Sequence, residues 1–215
     1  MNGKNIKISG SGAVSSGEYD SIKLSGSAKL FGEIKCGTIS SSGTIKSEAK
    51  IYAGNIKTSG NATFYSDVRA DSISSSGNFK SEGALSCGEI SVSGSAKIAQ
   101  SISARKNARF SGIVRCGGSL RAGEVNIKFS SRSEFSAIDG KIIRIHPTRA
   151  AKLLRKRLTV ISSITGDKIT LKNVVCPHVH GRIVTVGSGC VIDRLEYTES
   201  ADVSRRAKVG KTEKL

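Results

Sequence analysis

Apolar and polar positions alternate along the first half of the chain with a period of 17 residues. Ser-Gly pairs recur at that spacing and end at Gly26, Gly43, Gly60, Gly77 and Gly94. When residues 21–105 are aligned in rows of 17, small or apolar side chains fill three pairs of positions, and the two members of a pair are two residues apart. A fixed internal period of this kind indicates an architecture of stacked repeats.

A spacing of two is the period of a β-strand, so each row predicts three short strands separated by three corners. The second position of the rows is isoleucine every time, at Ile22, Ile39, Ile56, Ile73 and Ile90. Helical spacing is absent from these rows. The pattern therefore predicts an all-β protein, a right-handed parallel β-helix that forms a triangular solenoid with about 17 residues per coil. The hand follows from the strong right-handed preference of parallel crossovers.

The recurring glycines are expected at corners, where we expect them to supply positive φ angles without a Cβ penalty. A flexible Gly/Ser linker is the alternative for such a composition. The strict register of the isoleucines argues against it.

The pattern divides the chain into four segments. Residues 5–135 predict the main β-helix, and residues 136–160 predict a basic loop or short helix around Pro147. Strand-like pairs return in residues 161–197, which predict a second, smaller solenoid block of about two coils. Residues 198–215 predict a polar, loosely held tail.

The 17-residue coils resemble the bactofilin domain, notably in the segment GSAKLFGEIKC at Gly26–Cys36. The blocks GDKITL (166–171), VHGRIV (179–184) and VIDRLEY (191–197) resemble the C-terminal extension of a Gram-positive branch of that family. The resemblance implies a bacterial cytoskeletal scaffold that assembles end to end into nonpolar filaments without a nucleotide. It implies the chain itself as partner and a cytoplasmic location.

Self-assembly also has a physical reason. The end coil of a solenoid exposes strand edges and a cut apolar core, which a cap normally covers. Ile6 and Ile8 begin strand-like alternation close to the first residue, so we expect an open face there and take both as the polymerisation face. The alternative is a lid formed by residues 1–4 or by the C-terminal tail.

The formal charge of +17 adds a second possibility. Lysines recur at an outward position, and nearby carboxylates are expected to screen them. The basic run near Pro147 has fewer acidic neighbours, and we expect an anion there to contact Arg149, Lys152, Arg155, Lys156 and Arg157. The alternative function is thus a non-polymerising adaptor that binds an anionic membrane at its inner face, or other cell-envelope components and proteins. Few aromatic residues argue against nucleic acid as a partner.

Catalytic signals are weak. Cys176, His178 and His180 alternate and could hold a metal with Cys190, but an inward structural cysteine is the preferred interpretation. A hexapeptide-repeat acyltransferase is the nearest enzyme alternative, yet residues 21–105 contain no histidine. We expect no catalytic residue, no cofactor and no small-molecule substrate. Five cysteines without a C-x-x-C pair predict reduced thiols, and neither a signal peptide nor a membrane span is expected.

Overall fold

The structure is a computed structural model that describes residues 4–149, 151 and 159–215. The chain forms two compact units, unit 1 of residues 1–105 and unit 2 of residues 106–215. The boundary falls within strand β12. Unit 1 contains β1 (Lys4–Ile8), β2 (Ser11–Val14), β3 (Gly17–Leu24), β4 (Ser27–Leu30), β5 (Ile34–Ser41), β6 (Thr44–Ser47), β7 (Ile51–Thr58), β8 (Asn61–Phe64), β9 (Val68–Ser75), β10 (Asn78–Ser81) and β11 (Leu85–Ile98).

Unit 1 is a parallel β-solenoid in which each coil lies on the previous one in register. Strand β5 pairs with β7 so that Ile39 is opposite Ile56, an offset of 17 residues, and the same offset joins β7 to β9. The first coil is one residue shorter, because Ile6 lies opposite Ile22. Stacked parallel strands lie about 4.8 Å apart. The five isoleucines of the second position form one continuous ladder, each at most 1% exposed.

Each coil of unit 1 has three short straight segments, as the pattern predicts. Strand β5 supplies two of them and bends at Gly37, and β6 supplies the third. Inward side chains on the three segments are buried, among them Ile34, Ile39 and Ile45. The predicted fold class, a parallel β-helix with about 17 residues per coil, is therefore confirmed.

The prediction that the corner glycines adopt left-handed φ angles is wrong for most of them. In the column Gly26, Gly43, Gly60, Gly77 and Gly94, only Gly94 has a left-handed φ, of 140°. The others are required by close stacking: a Cβ on Gly43 would lie 1.9 Å from the carbonyl oxygen of Gly26. Backbone passes over backbone at this corner, and only a residue without a side chain leaves room for it.

Unit 2 is a second parallel β-solenoid with less regular coils. Its strands are β12 (Ile102–Phe129), β13 (Glu134–Pro147), β14 (Thr159–Leu171), β15 (Val174–Val186), β16 (Val191–Val203) and β17 (Lys208–Lys214). The offset between paired residues is 19 from Cys116 to Phe135 but 15 from Thr159 to Val174. Within this unit Phe110 meets Phe135 edge-on, with ring centroids 6.3 Å apart.

Two segments differ from the sequence prediction. Strand β13 occupies residues 134–147, most of which were predicted as loop, and the predicted tail forms the end of β16 and all of β17. In both places a backbone ladder to the preceding coil holds the strand. Strand β13 also buries apolar side chains such as Ile138 and Ile143, whereas few side chains of β17 are apolar. Beyond Pro147 the described residues Arg149 and Ala151 are helical, and the Ala151 amide donates to Thr148 Oγ1 at 3.3 Å.

Candidate self-association surface and charged clusters

The first coil of unit 1 presents an open edge in the described part of the chain. There β1 pairs only with β3, and β2 pairs only with β4, so one side of each strand has no ladder partner among residues 4–149, 151 and 159–215. Ile6 and Ile8 are half-buried, whereas the residues they pair with, Ile22 and Leu24, are at most 3% exposed. The residues predicted as the polymerisation face thus lie on the outermost described coil.

Glycines make the interior of this first coil shallow. Gly12 occupies the position that holds buried Ala28 in the next coil, and the Ile8 side chain fills the space beside it, 3.0 Å from where a Gly12 Cβ would be. Gly10 begins the corner column, and a Cβ on Gly10 would meet nothing within 4 Å. A Cβ on Gly26 would instead lie 2.0 Å from the Gly10 oxygen. The corner at Gly10 therefore lacks the overlying backbone that the equivalent later corners have.

The last coil of unit 2 has a more polar edge. Val209 and Thr212 of β17 lie opposite buried Ile192 and Leu195, and both are less buried than their partners. Charged residues surround them: Glu213 pairs with Lys211 and, at 2.8 Å, with Arg194. This edge offers charge contacts where the first coil of unit 1 offers apolar ones.

The lysines at the outward position of unit 1 lie in register, as the repeat requires. They are Lys29, Lys46, Lys80 and Lys97, with Thr63 in the column. The Lys80 ammonium lies 2.7 Å from the Glu82 carboxylate, and hydrogen bonding to Lys80 lowers the pKa of Glu82. Carboxylates therefore do neutralise part of this column.

The predicted anion-binding residues fall mostly outside the described residues. Lys152, Arg155, Lys156 and Arg157 are among these, so that hypothesis stays a prediction. Arg149 is described and exposed. Nearby Arg144 is already neutralised by Glu124 at 2.6 Å.

The cysteine and histidines of β15 do not share a face. Cys176 points inward and is 1% exposed, with its thiol donating to the His178 carbonyl at 3.1 Å. Inward and outward side chains do not simply alternate here, because the consecutive residues Pro177 and His178 are both exposed. Within the described residues no group of three or more His, Cys, Asp or Glu is arranged to hold a metal ion.

The histidines instead belong to a charged cluster that the sequence interpretation missed. Glu196 of β16, only 8% exposed, accepts from His178 Nε2 at 2.8 Å and lies 3.4 Å from His180 Nδ1. Arg194 contacts its other oxygen at 2.6 Å. The hydrogen bond from His178 is the main cause that lowers the pKa of Glu196. His180 of β15 lies opposite Glu196 of β16. The sequence alone does not show this pairing, because it depends on the offset between coils of unit 2.

None of the five cysteines forms a disulfide bond, and all five are buried. Burial raises the pKa of Cys87 and Cys176 to about 12 and that of Cys116 to about 11. A thiol with so high a pKa is almost wholly protonated near neutral pH and is a poor nucleophile or metal ligand. These side chains serve as small core residues.

The described part of the chain contains no helix with the length and apolar character that crossing a bilayer requires.

Comparison with known proteins gives one similarity of limited extent. Over 100 residues the chain is 30% identical to the uncharacterized protein YhbF of Bacillus subtilis (strain 168). The match covers 46% of this chain and 42% of YhbF, so the chain spans less than half the length of that relative. No protein-family model matches the chain, and no solved structure matches it.

Proposed function

We propose that this protein is a structural scaffold that assembles end to end, without a nucleotide, into bactofilin-like filaments. The observation that carries the proposal is the open first coil of unit 1, where Ile6 and Ile8 stay half-buried above a fully buried ladder. A second copy of this chain is the occupant that fits, because its own first coil offers the same strand edges and the same apolar residues.

The apolar part of such a contact is worth a substantial free energy. Ile6 and Ile8 are each exposed over about a third of their surface or less, so burying the rest of one isoleucine contributes about 0.5–1 kcal/mol, and the four isoleucines of a two-fold contact contribute about 2–4 kcal/mol. Backbone groups on the open sides of β1 and β2 add hydrogen bonds that the described chain leaves unmade. Like ends meeting in this way give a filament without polarity.

The second contact of the filament is assigned to the edge of β17. Lys211, Glu213 and Arg194 place both signs of charge there, so two copies can pair opposite charges across it. Charge contacts at a surface weaken with salt, whereas the apolar contact at Ile6 and Ile8 does not. Rising salt is therefore expected to break filaments into pairs before it yields monomers.

Sedimentation of variants tests the first-coil contact. Ile6→Lys with Ile8→Lys puts charge on the contact, and Gly10→Val adds a side chain where the described residues leave open space within 4 Å. Both variants are expected to stay in the supernatant, because blocking one of two end contacts leaves only short assemblies. Tyr65→Lys, at a lateral site that is 47% exposed, is the matched control and should pellet as the unmodified chain does.

Gly10→Val keeps the test valid if the double lysine variant fails to fold. Circular dichroism and thermal unfolding establish that each variant retains the solenoid. Folded Gly10→Val protein that pellets like the unmodified chain would contradict the proposed contact.

A non-polymerising adaptor at an anionic membrane is the second candidate. The observation in its favour is a corner of unit 1 where Phe31, 40% exposed, and Tyr65 lie beside Lys29 and Lys46. Aromatic rings and lysines together suit a lipid headgroup region. Discrete particles that float with anionic vesicles at low salt, and detach at high salt, would favour this candidate over filaments.

A further inference from the structure

One outward face of unit 1 carries a groove that has no role in the proposed end-to-end assembly or membrane binding. It encloses about 460 Å³, and we call it the lysine–serine groove. Its described lining includes Lys7, Lys23 and Lys57 together with a row of serines: Ser25, Ser42, Ser59 and Ser76.

The register of the coils builds this groove. Lys7, Lys23, Ser40 and Lys57 follow one another in a single outward column, each opposite the next. Two of these lysines, Lys23 and Lys57, are two coils apart, about 9.6 Å, and the short Ser40 between them leaves a recess. The serine row runs beside that column at one hydroxyl per coil.

The groove is positively charged without compensation. None of its described lining residues is acidic, and within residues 4–149, 151 and 159–215 none of its three lysines forms an ion pair. Other lysines of the same unit are neutralised, as Lys35 is by Glu18 at 3.3 Å. Lys7 and Lys23, one coil apart, repel each other, so an anion bound between the lysines would relieve that repulsion.

We propose that the lysine–serine groove binds inorganic polyphosphate, with the polymer lying along the stacked coils. Ammonium and hydroxyl groups are the donors that phosphate oxygens accept from. The described lining contains no aromatic side chain on which a base or a sugar ring could stack, and its one large apolar side chain, Leu24, is buried. The ligand that fits presents anionic oxygens along a flexible chain and nothing else. Binding does not require that the protein assemble.

Titration calorimetry of the full chain with inorganic polyphosphate tests the proposal. The variant Lys23→Gln with Lys57→Gln removes two groove charges. The matched control, Lys29→Gln with Lys46→Gln, removes two lysines of the neighbouring outward column that likewise form no ion pair within the described residues. The groove variant is expected to bind about tenfold more weakly and to lower the salt slope of log K by about 1.4, while the control changes affinity less than about twofold.

Other polyanions complete the test. Single-stranded DNA and polyglutamate of the same total charge are titrated under the same conditions, and polyphosphate is expected to bind more tightly than either. Equal loss in both lysine variants would show that net charge alone drives binding and would overturn the proposal. If DNA or polyglutamate binds through Lys23 and Lys57 as tightly as polyphosphate does, the groove belongs to a different polymer. If the groove variant binds polyphosphate with unchanged affinity, the groove is not the binding site.

Discussion

Replacing one corner glycine by alanine tests the stacking on which the whole fold depends. In Gly43→Ala the new Cβ would lie 1.9 Å from the Gly26 oxygen, 2.8 Å from the Gly26 carbonyl carbon and 2.9 Å from the Ser25 oxygen. In proteins, the distance between a carbon and an oxygen atom in close contact is about 3.3 Å. The two coils must therefore separate locally by more than about 1 Å.

The cost follows from the atoms that must move. Overpacking against backbone costs about 1–3 kcal/mol. Separation also weakens the two flanking hydrogen bonds, Ser42 N to Leu24 O and Thr44 N to Gly26 O, both 2.9 Å, at about 1 kcal/mol each. Alanine offsets about 0.4–1 kcal/mol of this cost, because it lowers the conformational entropy of the unfolded chain. The expected net loss in the free energy of unfolding is about 2–5 kcal/mol.

Gly10→Ala is the matched control, because it makes the same change in the same column where a Cβ meets nothing within 4 Å. Urea unfolding followed by far-ultraviolet circular dichroism suits a chain without tryptophan. Gly43→Ala should lower the urea midpoint by about 1 M or more, and Gly10→Ala should leave it unchanged or raise it slightly. Equal midpoints for the two variants would refute the stacking explanation.

Two further predictions concern ionisable groups. The lowered pKa of Glu196 means that its carboxylate stabilises the fold above the unfolded carboxyl pKa of about 4.3, and that this contribution is lost as the pH falls through the lower folded value. Glu196→Gln should therefore flatten the decline of the urea midpoint between about pH 5 and pH 3, and parallel declines would contradict the assignment. Burial and a raised pKa predict that Cys87, Cys116 and Cys176 react slowly with a disulfide reagent at about pH 8 and quickly in urea. Fast reaction in the native protein would contradict their burial.

The regular part of the fold could be predicted because its signal repeats. Five isoleucines at one spacing define the register of every coil from Ile22 to Ile90, and the structure places them in one ladder. In unit 2 the offset between paired residues is 19 from Cys116 to Phe135, 26 from Glu134 to Val160 and 15 from Thr159 to Val174, so no single period exposes the strands. Strand β17 was missed because backbone pairing holds it, and its polar side chains resemble a tail.

The charged groups were harder to place, since their chemistry depends on neighbours one or two coils away. The contact of His178 with Glu196 spans 18 residues and needs the local offset of unit 2. The lysine–serine groove needs Lys7, Lys23 and Lys57 in one column with a serine between two of them, a pattern that the 16-residue first coil hides. The sequence correctly identified Gly43 as a corner residue but not the reason why glycine is required there. A sequence shows that glycine recurs, but it does not show which atoms of the neighbouring coil lie against it.

Self-assembly is the central claim, and electron microscopy of the purified full chain without nucleotide tests it most directly. At low salt we expect filaments of uniform width, which shorten to pairs as salt rises and are absent from folded Gly10→Val protein. Single particles of one chain at every salt and protein concentration would contradict it.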